Sequence, residues 1–203
     1  MRQILITKGE AWLKNIKQWL TDRIPAHKQP LPGPIAERVR LDHHFVALSD
    51  EQFLSVKIAT EEHIDDLLSI ERRCYDGHTP WNRAALFHEI RYNKNAFYMV
   101  VTDQKEPVAF LGSWFVSREA HITNIATIPE YEGRGIATFL IEELKQIAIF
   151  EKMDKISLEV RVSNTRAQRL YKKMQFTNGR VKKGYYANDR EDALEMTMML
   201  TNN

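Results

Sequence analysis

The chain has 203 residues, which suits one domain or one domain with an extension. At 43% hydrophobic and 28% charged residues it reads as an ordinary globular protein, and a net charge of +2 is too small to argue for direct nucleic-acid binding. Its one cysteine, Cys74, excludes an internal disulfide framework and a cysteine-rich zinc site. That suits a reducing cytoplasm, no metal is expected, and no apolar run approaches a secretory signal or a membrane span.

In chain order, residues 9–24 carry Trp12, Leu13, Ile16, Trp19, Leu20 and Ile24 at helical spacing, which predicts an amphipathic helix. "PAHKQPLPGP" follows, a linker by its prolines. The expected division is an extension over 1–42 and a domain over 43–203. In the domain, "HHFVAL" and "FLSVKIA" predict strands around "SDEQ". Thr60 then caps a helix that runs through "IDDLLSIERRCY" to Cys74. Thr79 and Pro80 open the next one. "AFYMVVTD" and "VAFLGSWFVSR" predict a hairpin, "HITNIATI" a strand, and the residues after Gly135 a long helix. The strand "KISLEVRV" and a helix capped by Asn164 come next. Two last strands, "FTNGRV" and "LEMTMML", enclose the polar loop "KKGYYANDRED". Strands around a few helices make an α/β or mixed α+β domain.

The segment that asks for a ligand is "EGRGIAT", Glu132 to Thr138, between a strand and a helix. Glycines there let backbone N–H groups approach an anion without a side chain in the way. A dinucleotide fingerprint fits poorly, although Glu159 stands about twenty residues downstream where that motif wants an acid. The third glycine position is Thr138, and "PEYE" separates the strand from the first glycine. No lysine follows for a phosphate loop of the G-x-x-x-x-G-K type. A pyrophosphate cradle for coenzyme A tolerates the wider loop, with Arg134 adding charge and Ala137 staying small. Taken alone, the loop also suits a plain junction.

The segment from Val56 to Leu200 resembles the GNAT N-acetyltransferases. Their cofactor motif, [QR]-x-x-G-x-[GA], matches Glu132-Gly133-Arg134-Gly135-Ile136-Ala137 except at Glu132. "SLEVRVSNTRAQRLYKKMQF" looks like the family's next strand, Asn-capped helix and strand, and "KKGYYANDREDALEMTM" looks like its ribosomal-protein-alanine N-acetyltransferases. Pro80-Trp81 fits as well. The resemblance implies a central twisted mixed sheet flanked by about four helices. It implies direct transfer of acetyl from acetyl-CoA to an amine. The acceptor it implies is the N-terminal alanine of a small-subunit ribosomal protein.

By the same resemblance Glu159 is the general base, directly or through a water, and Tyr171 the acid that protonates the leaving thiolate. Ile125, Ala126 and Thr127 supply backbone hydrogen bonds to the pantetheine and acetyl groups. Gly133 to Thr138 (Gly133, Arg134, Gly135, Ile136, Ala137 and Thr138) and Asn164 hold the rest of the cofactor. Arg166, Lys172 and Lys173 are candidates for the outer phosphates. Tyr75, Trp81, Tyr185, Tyr186 and Asp189 wall the substrate side. Cys74 has no activating partner in sequence and reads as structural. Strand alternation puts Ser157, Glu159 and Arg161 on one face, which periodicity alone allows to be exposed. Glu132 is expected to turn outward or to pair with a nearby cation. A lysine, a polyamine or another small amine is the alternative acceptor, and a non-catalytic acyl-CoA-binding module the alternative class.

Overall fold

The structure, a computed structural model, describes residues 33–48, 52–75, 77, 79 and 81–201. The helix expected over 9–24 and most of the linker lie outside them. The elements in order are α1 (Ile35–Arg38), β1 (Phe45–Ala47), β2 (Phe53–Ile58), α2 (Ile64–Cys74), α3 (Arg83–Tyr92), β3 (Ala96–Asp103) and β4 (Glu106–Val116). Then come β5 (Glu119–Thr127), α4 (Ile136–Phe150), β6 (Lys155–Arg161), α5 (Thr165–Lys173), β7 (Thr177–Tyr186) and β8 (Glu191–Met199). The strands form one sheet in the order β1-β2-β3-β4-β5-β6-β8-β7. Every neighbouring pair is antiparallel except β5–β6, which is parallel.

The middle of the sheet is buried on both faces. Phe97 to Val101 on β3 and Val108 to Leu111 on β4 are closed to solvent in unbroken runs, as expected where helices cover a sheet. α2 buries Ile64, Leu67, Leu68 and Ile70 against β4 and β5. α4 buries Leu140, Ile141, Leu144 and Ile147 against β4, β5 and β6. Both sets follow the three- and four-residue spacing of one helical face.

Three sequence expectations change in detail. Residues 35–41, assigned to the extension, belong to the packed body. Ile35, Val39 and Leu41 are buried, the Ile35 N–H donates to Lys94 O at 2.9 Å, and Arg38 pairs with Glu151 at 2.7 Å. α3 starts at Arg83 with Asn82 as its cap, the Asn82 Oδ1 accepting from the Ala85 N–H at 2.8 Å, so Thr79 does not cap it. The "polar loop" near the C-terminus is largely strand: β7 runs on through Tyr185 and Tyr186. Its polar composition reflects an edge strand exposed along most of its length.

Candidate active site

β5 and β6 pair only from Glu119↔Lys155 to Ile122↔Leu158. β5 also carries a bulge: Gly112 faces Asn124 while Ser113 faces Ile122, so Thr123 is the extra residue. Beyond it the two strands part, and no strand of β6 faces Thr123 to Thr127. Two cavities open at the split. A groove of about 710 Å³ runs over β5 and the starts of α4 and α5, and a narrow cavity of about 70 Å³ lies on the far side. Ile125, Asn164 and Tyr171 line both, so the cavities meet there.

The groove collects the loop residues expected to hold the cofactor. Ile125, Ala126, Thr127, Gly133, Gly135, Ile136, Ala137 and Thr138 line it, together with Asn164. Gly133 (φ 79°) and Gly135 (φ 90°) are left-handed, and Gly135 is the N-cap of α4. No atom crowds a Cβ at Gly135, so glycine is needed there for its backbone angle rather than for space. The turn presents the amino end of a 15-residue helix to the groove, an anion-binding arrangement. Arg134 departs from expectation. Its side chain leaves the groove, donates to Gln52 Oε1 at 3.0 Å and lies over the Tyr131 ring. Arg166, Arg169 and Lys173 line the groove, with Arg166 paired to Glu132 at 2.5 Å. Of the two outcomes expected for Glu132, pairing with a cation is the one observed. Cys74 also lines the groove. Burial, helped by nearby carboxylates, pushes its thiol up to about 12, an inert state at neutral pH. Asn164 caps α5, its Oδ1 accepting from the Ala167 N–H at 3.0 Å.

The narrow cavity is aromatic. Tyr75, Trp81, Tyr171, Tyr185 and Tyr186 line it, with Glu159 and His121. Asp189 does not. It pairs with Arg161 at 2.8 Å, and Glu191 takes the same guanidinium at 2.5 Å. Arg161 is buried with its guanidinium 4.0 Å from the centre of the Tyr186 ring, so this cluster fixes the β7–β8 turn behind the cavity wall. Another cluster fixes the opposite wall. The fully buried Glu71 of α2 accepts from the Trp81 N–H at 3.3 Å and from Asn124 Nδ2 at 3.1 Å, and the Tyr75 hydroxyl donates to Asn124 Oδ1 at 3.4 Å.

Glu159 is half-buried as a residue, with its side chain only 6% exposed. Its carboxylate meets His121 Nε2 at 3.1 Å and Lys182 Nζ at 2.5 Å, and Tyr185 also bonds to it. Burial pushes this carboxyl up, but His121 and then Lys182 outweigh it and hold the group down at about 2. It is therefore a carboxylate at every working pH. Burial raises Tyr171 to about 12, which keeps its hydroxyl protonated where the two cavities join. His121, Lys182 and Glu71 were not among the residues expected from sequence. The pairing of β6 with β5 brings His121 to Glu159, and the pairing of β6 with β8, and of β8 with β7, brings Lys182.

A carboxylate and a phenol line one narrow cavity, and the phenol also lines the groove it meets, an arrangement suited to acyl transfer. The acetyltransferase (GNAT) family model matches residues 64–176. The chain belongs to the GNAT acetyltransferases. It is an N-acetyltransferase, an enzyme that moves an acyl group, and members of this family use acetyl-CoA. A Bacillus subtilis protein provisionally named a ribosomal protein bS18-alanine N-acetyltransferase is 37% identical over 135 residues, 66% of this chain and 88% of that protein. The solved ribosomal-protein-S18-alanine N-acetyltransferase of Escherichia coli superposes with a TM-score of 0.66 at 25% identity, covering 73% of this chain and 94% of that one. The PaiA N-acetyltransferase of Thermoplasma acidophilum, solved with coenzyme A, shares the fold at a TM-score of 0.58 and 15% identity, covering 70% of this chain and 97% of that one. The family's mixed sheet is the fold observed. An acyltransferase, rather than a non-catalytic module, is the class. Among the described residues no helix is long and apolar enough to cross a membrane.

Proposed function

We propose that this GNAT enzyme transfers acetyl from acetyl-CoA to the free α-amino group of a protein whose first residue is small. The preferred acceptor is the N-terminal alanine of a small-subunit ribosomal protein. The observation that carries this reading is the meeting of the two cavities at Ile125, Asn164 and Tyr171, with Glu159 lining the smaller one. Acetyl-CoA occupies the open groove, its pyrophosphate at Gly133 to Thr138 and its thioester at the split. The amine enters the narrow aromatic cavity. Backbone groups of Ile125 to Thr127 that point away from β4 hold the pantetheine and the oxyanion of the tetrahedral intermediate.

The chemistry of the base favours an α-amine over a lysine. A model α-amine has a pKa of about 8, so roughly a tenth is neutral at pH 7; a lysine near 10.4 is neutral about once in two thousand five hundred. A carboxylate held near 2 is a weak proton acceptor. It suits an amine that is already partly neutral, whose ammonium form it also attracts. The small cavity and its aromatic walls support a short first side chain. The names of the Bacillus and Escherichia coli relatives support alanine.

Two peptides differing only in a free or acetyl-blocked α-amine, each with an internal lysine, test the acceptor. Mass spectrometry should find the label on the free α-amine. Label on the lysine of the blocked peptide at a greater rate would overturn the reading. For the acid, Tyr171→Phe is expected to lower kcat by about 10- to 100-fold, in the range for loss of one proton-transfer group, with little change in acetyl-CoA affinity. Full turnover in that variant would remove Tyr171 from the mechanism.

Glu132 carries its own prediction. It neutralises Arg166 at the groove's edge, so Glu132→Gln should free that guanidinium for phosphate and tighten acetyl-CoA about two- to five-fold at low salt. The pair is half-exposed and screened, which keeps the effect small. Calorimetry at two ionic strengths checks it. Unchanged affinity at low salt would mean that Arg166 does not reach the phosphates.

A further inference from the structure

The bond network at Glu159 does not stop at His121. His121 Nδ1 lies 2.8 Å from Ser157 Oγ, the Ser157 hydroxyl donates in a short bond to Glu119, and Glu119 meets Lys155 Nζ at 3.1 Å. The strand register explains the alignment. His121 is paired with Ser157 and Glu119 with Lys155 across the parallel β5–β6 pair, so all four side chains share one face with Glu159. Glu119, His121 and Ser157 are each at most 2% exposed, whereas the Lys155 side chain is 33% exposed. A buried polar ladder therefore joins the inner end of the amine cavity to the surface at the start of β5 and β6.

We propose that this ladder is the exit route for the proton released by the amine, with Ser157 and Glu119 as its relay groups. The inference rests on the acetyl-transfer reading above. The reason an exit is needed is geometric. The Glu159 side chain is only 6% exposed, and bound amine and thioester fill the cavities that lead to it. The bonds fix a direction as well. A carboxylate accepts only, so the Ser157 hydroxyl donates to Glu119 and its oxygen accepts from His121 Nδ1–H, while His121 Nε2–H donates to Glu159. The ammonium N–H bond breaks and its proton goes to the Glu159 carboxylate, which weakens that group's hold on the His121 Nε2–H. The Nδ1 proton passes to Ser157 Oγ as the Ser157 hydroxyl proton passes to Glu119. Glu119 releases a proton to water beside Lys155. One proton enters and one leaves. Rotation of the hydroxyl and reversal of the imidazole tautomer then let Nε2 take the Glu159 proton, which resets the ladder.

Other charged groups face the ladder without breaking it. Lys182 and Glu195 flank Glu159 from β7 and β8, and Trp114 of β4, the partner of His121, gives its indole N–H to Glu89 of α3. At the outer end Arg118 pairs with Asp154.

The test uses the full chain with acetyl-CoA and an alanine-terminated peptide, and compares Ser157→Ala, Glu119→Gln, Ser157→Thr and Glu159→Gln. Ser157→Ala and Glu119→Gln should each lower kcat about ten-fold at saturating substrates, a typical loss for one interrupted proton transfer. Both should leave acetyl-CoA affinity unchanged and alter the pH dependence and solvent deuterium isotope effect of kcat. Ser157→Thr, which keeps the hydroxyl, should stay within about two-fold of the parent rate. If the alanine and glutamine variants only melt earlier, with parent pH profile and isotope effect while Glu159→Gln is slow, the ladder is structural and the relay is wrong. If Glu159→Gln also keeps the parent rate, the base assignment fails and the relay falls with it.

Discussion

Glu159→Gln is expected to lower kcat by about 10²- to 10³-fold, within the range for a general base, while acetyl-CoA affinity stays near that of the parent. The split between the two constants follows from position. Glu159 lines the narrow cavity and not the groove proposed to take the cofactor. The substitution keeps the shape of the side chain but removes the negative charge that His121 and Lys182 face. Two cations or donors are then left against an amide, so some loss of stability accompanies the loss of rate. Melting and acetyl-CoA titration must therefore be measured beside turnover. A variant that binds acetyl-CoA, melts within a few degrees of the parent and still turns over fully would exclude Glu159 as the base. Lys182→Met gives an independent check. It removes one of the two groups that hold the carboxylate near 2, so the acid limb of the kcat profile should move to higher pH. A limb at the parent position would mean that this profile reports another group.

Much of this arrangement was legible in the sequence because local rules govern it. Gly133 and Gly135 sit where a left-handed turn meets a helix start, and Asn164 caps the next helix as its position before "TRAQ" suggests. What could not be read depends on which strands lie side by side. The alternation of "KISLEVR" places Ser157 and Glu159 on one face but leaves open whether that face meets water. Burial followed only from β8 on one side and β5 on the other, which carry Glu195 and His121 to it. The position of the Arg134 side chain was hidden for a related reason. Next to two cofactor glycines it looked like a phosphate ligand, but Gln52 and Tyr131 offered its guanidinium a bond and a ring away from the groove. Asp189 stands off the narrow cavity because Arg161, a strand residue with no sequence mark of burial, is buried and needs its charge matched.

Glu71 was missed for the same reason, and it gives the other large expectation. It is a helix residue among "IERRC", where a glutamate usually faces solvent, yet it is fully buried. Burial pushes its carboxyl up to about 8 against the Trp81 N–H and Asn124, which favour the charged form. The ordinary value for the unfolded chain is 4.5, so the folded protein holds its proton while the unfolded chain loses it. Stability from this group is fully present below 4.5 and is lost as pH rises toward about 8. The difference amounts to several kcal/mol, on the order of 4 to 5.

Glu71→Gln removes the titration but keeps an oxygen for the Trp81 N–H. Relative to the parent it should gain stability steadily from pH 5 to pH 8 and be level above that, as read by denaturant unfolding at fixed pH values. Parallel curves for the two proteins would show that Glu71 does not titrate in this range. The consequence reaches the site because Trp81 and Tyr75 wall the amine cavity and Glu71 ties both to β5 through Asn124. Alkaline pH frees more of the amine for attack, yet it also charges the carboxyl that fastens the cavity wall. The rise in rate with pH should therefore be cut short in the parent near the point where Glu71 ionises, and should continue further in Glu71→Gln.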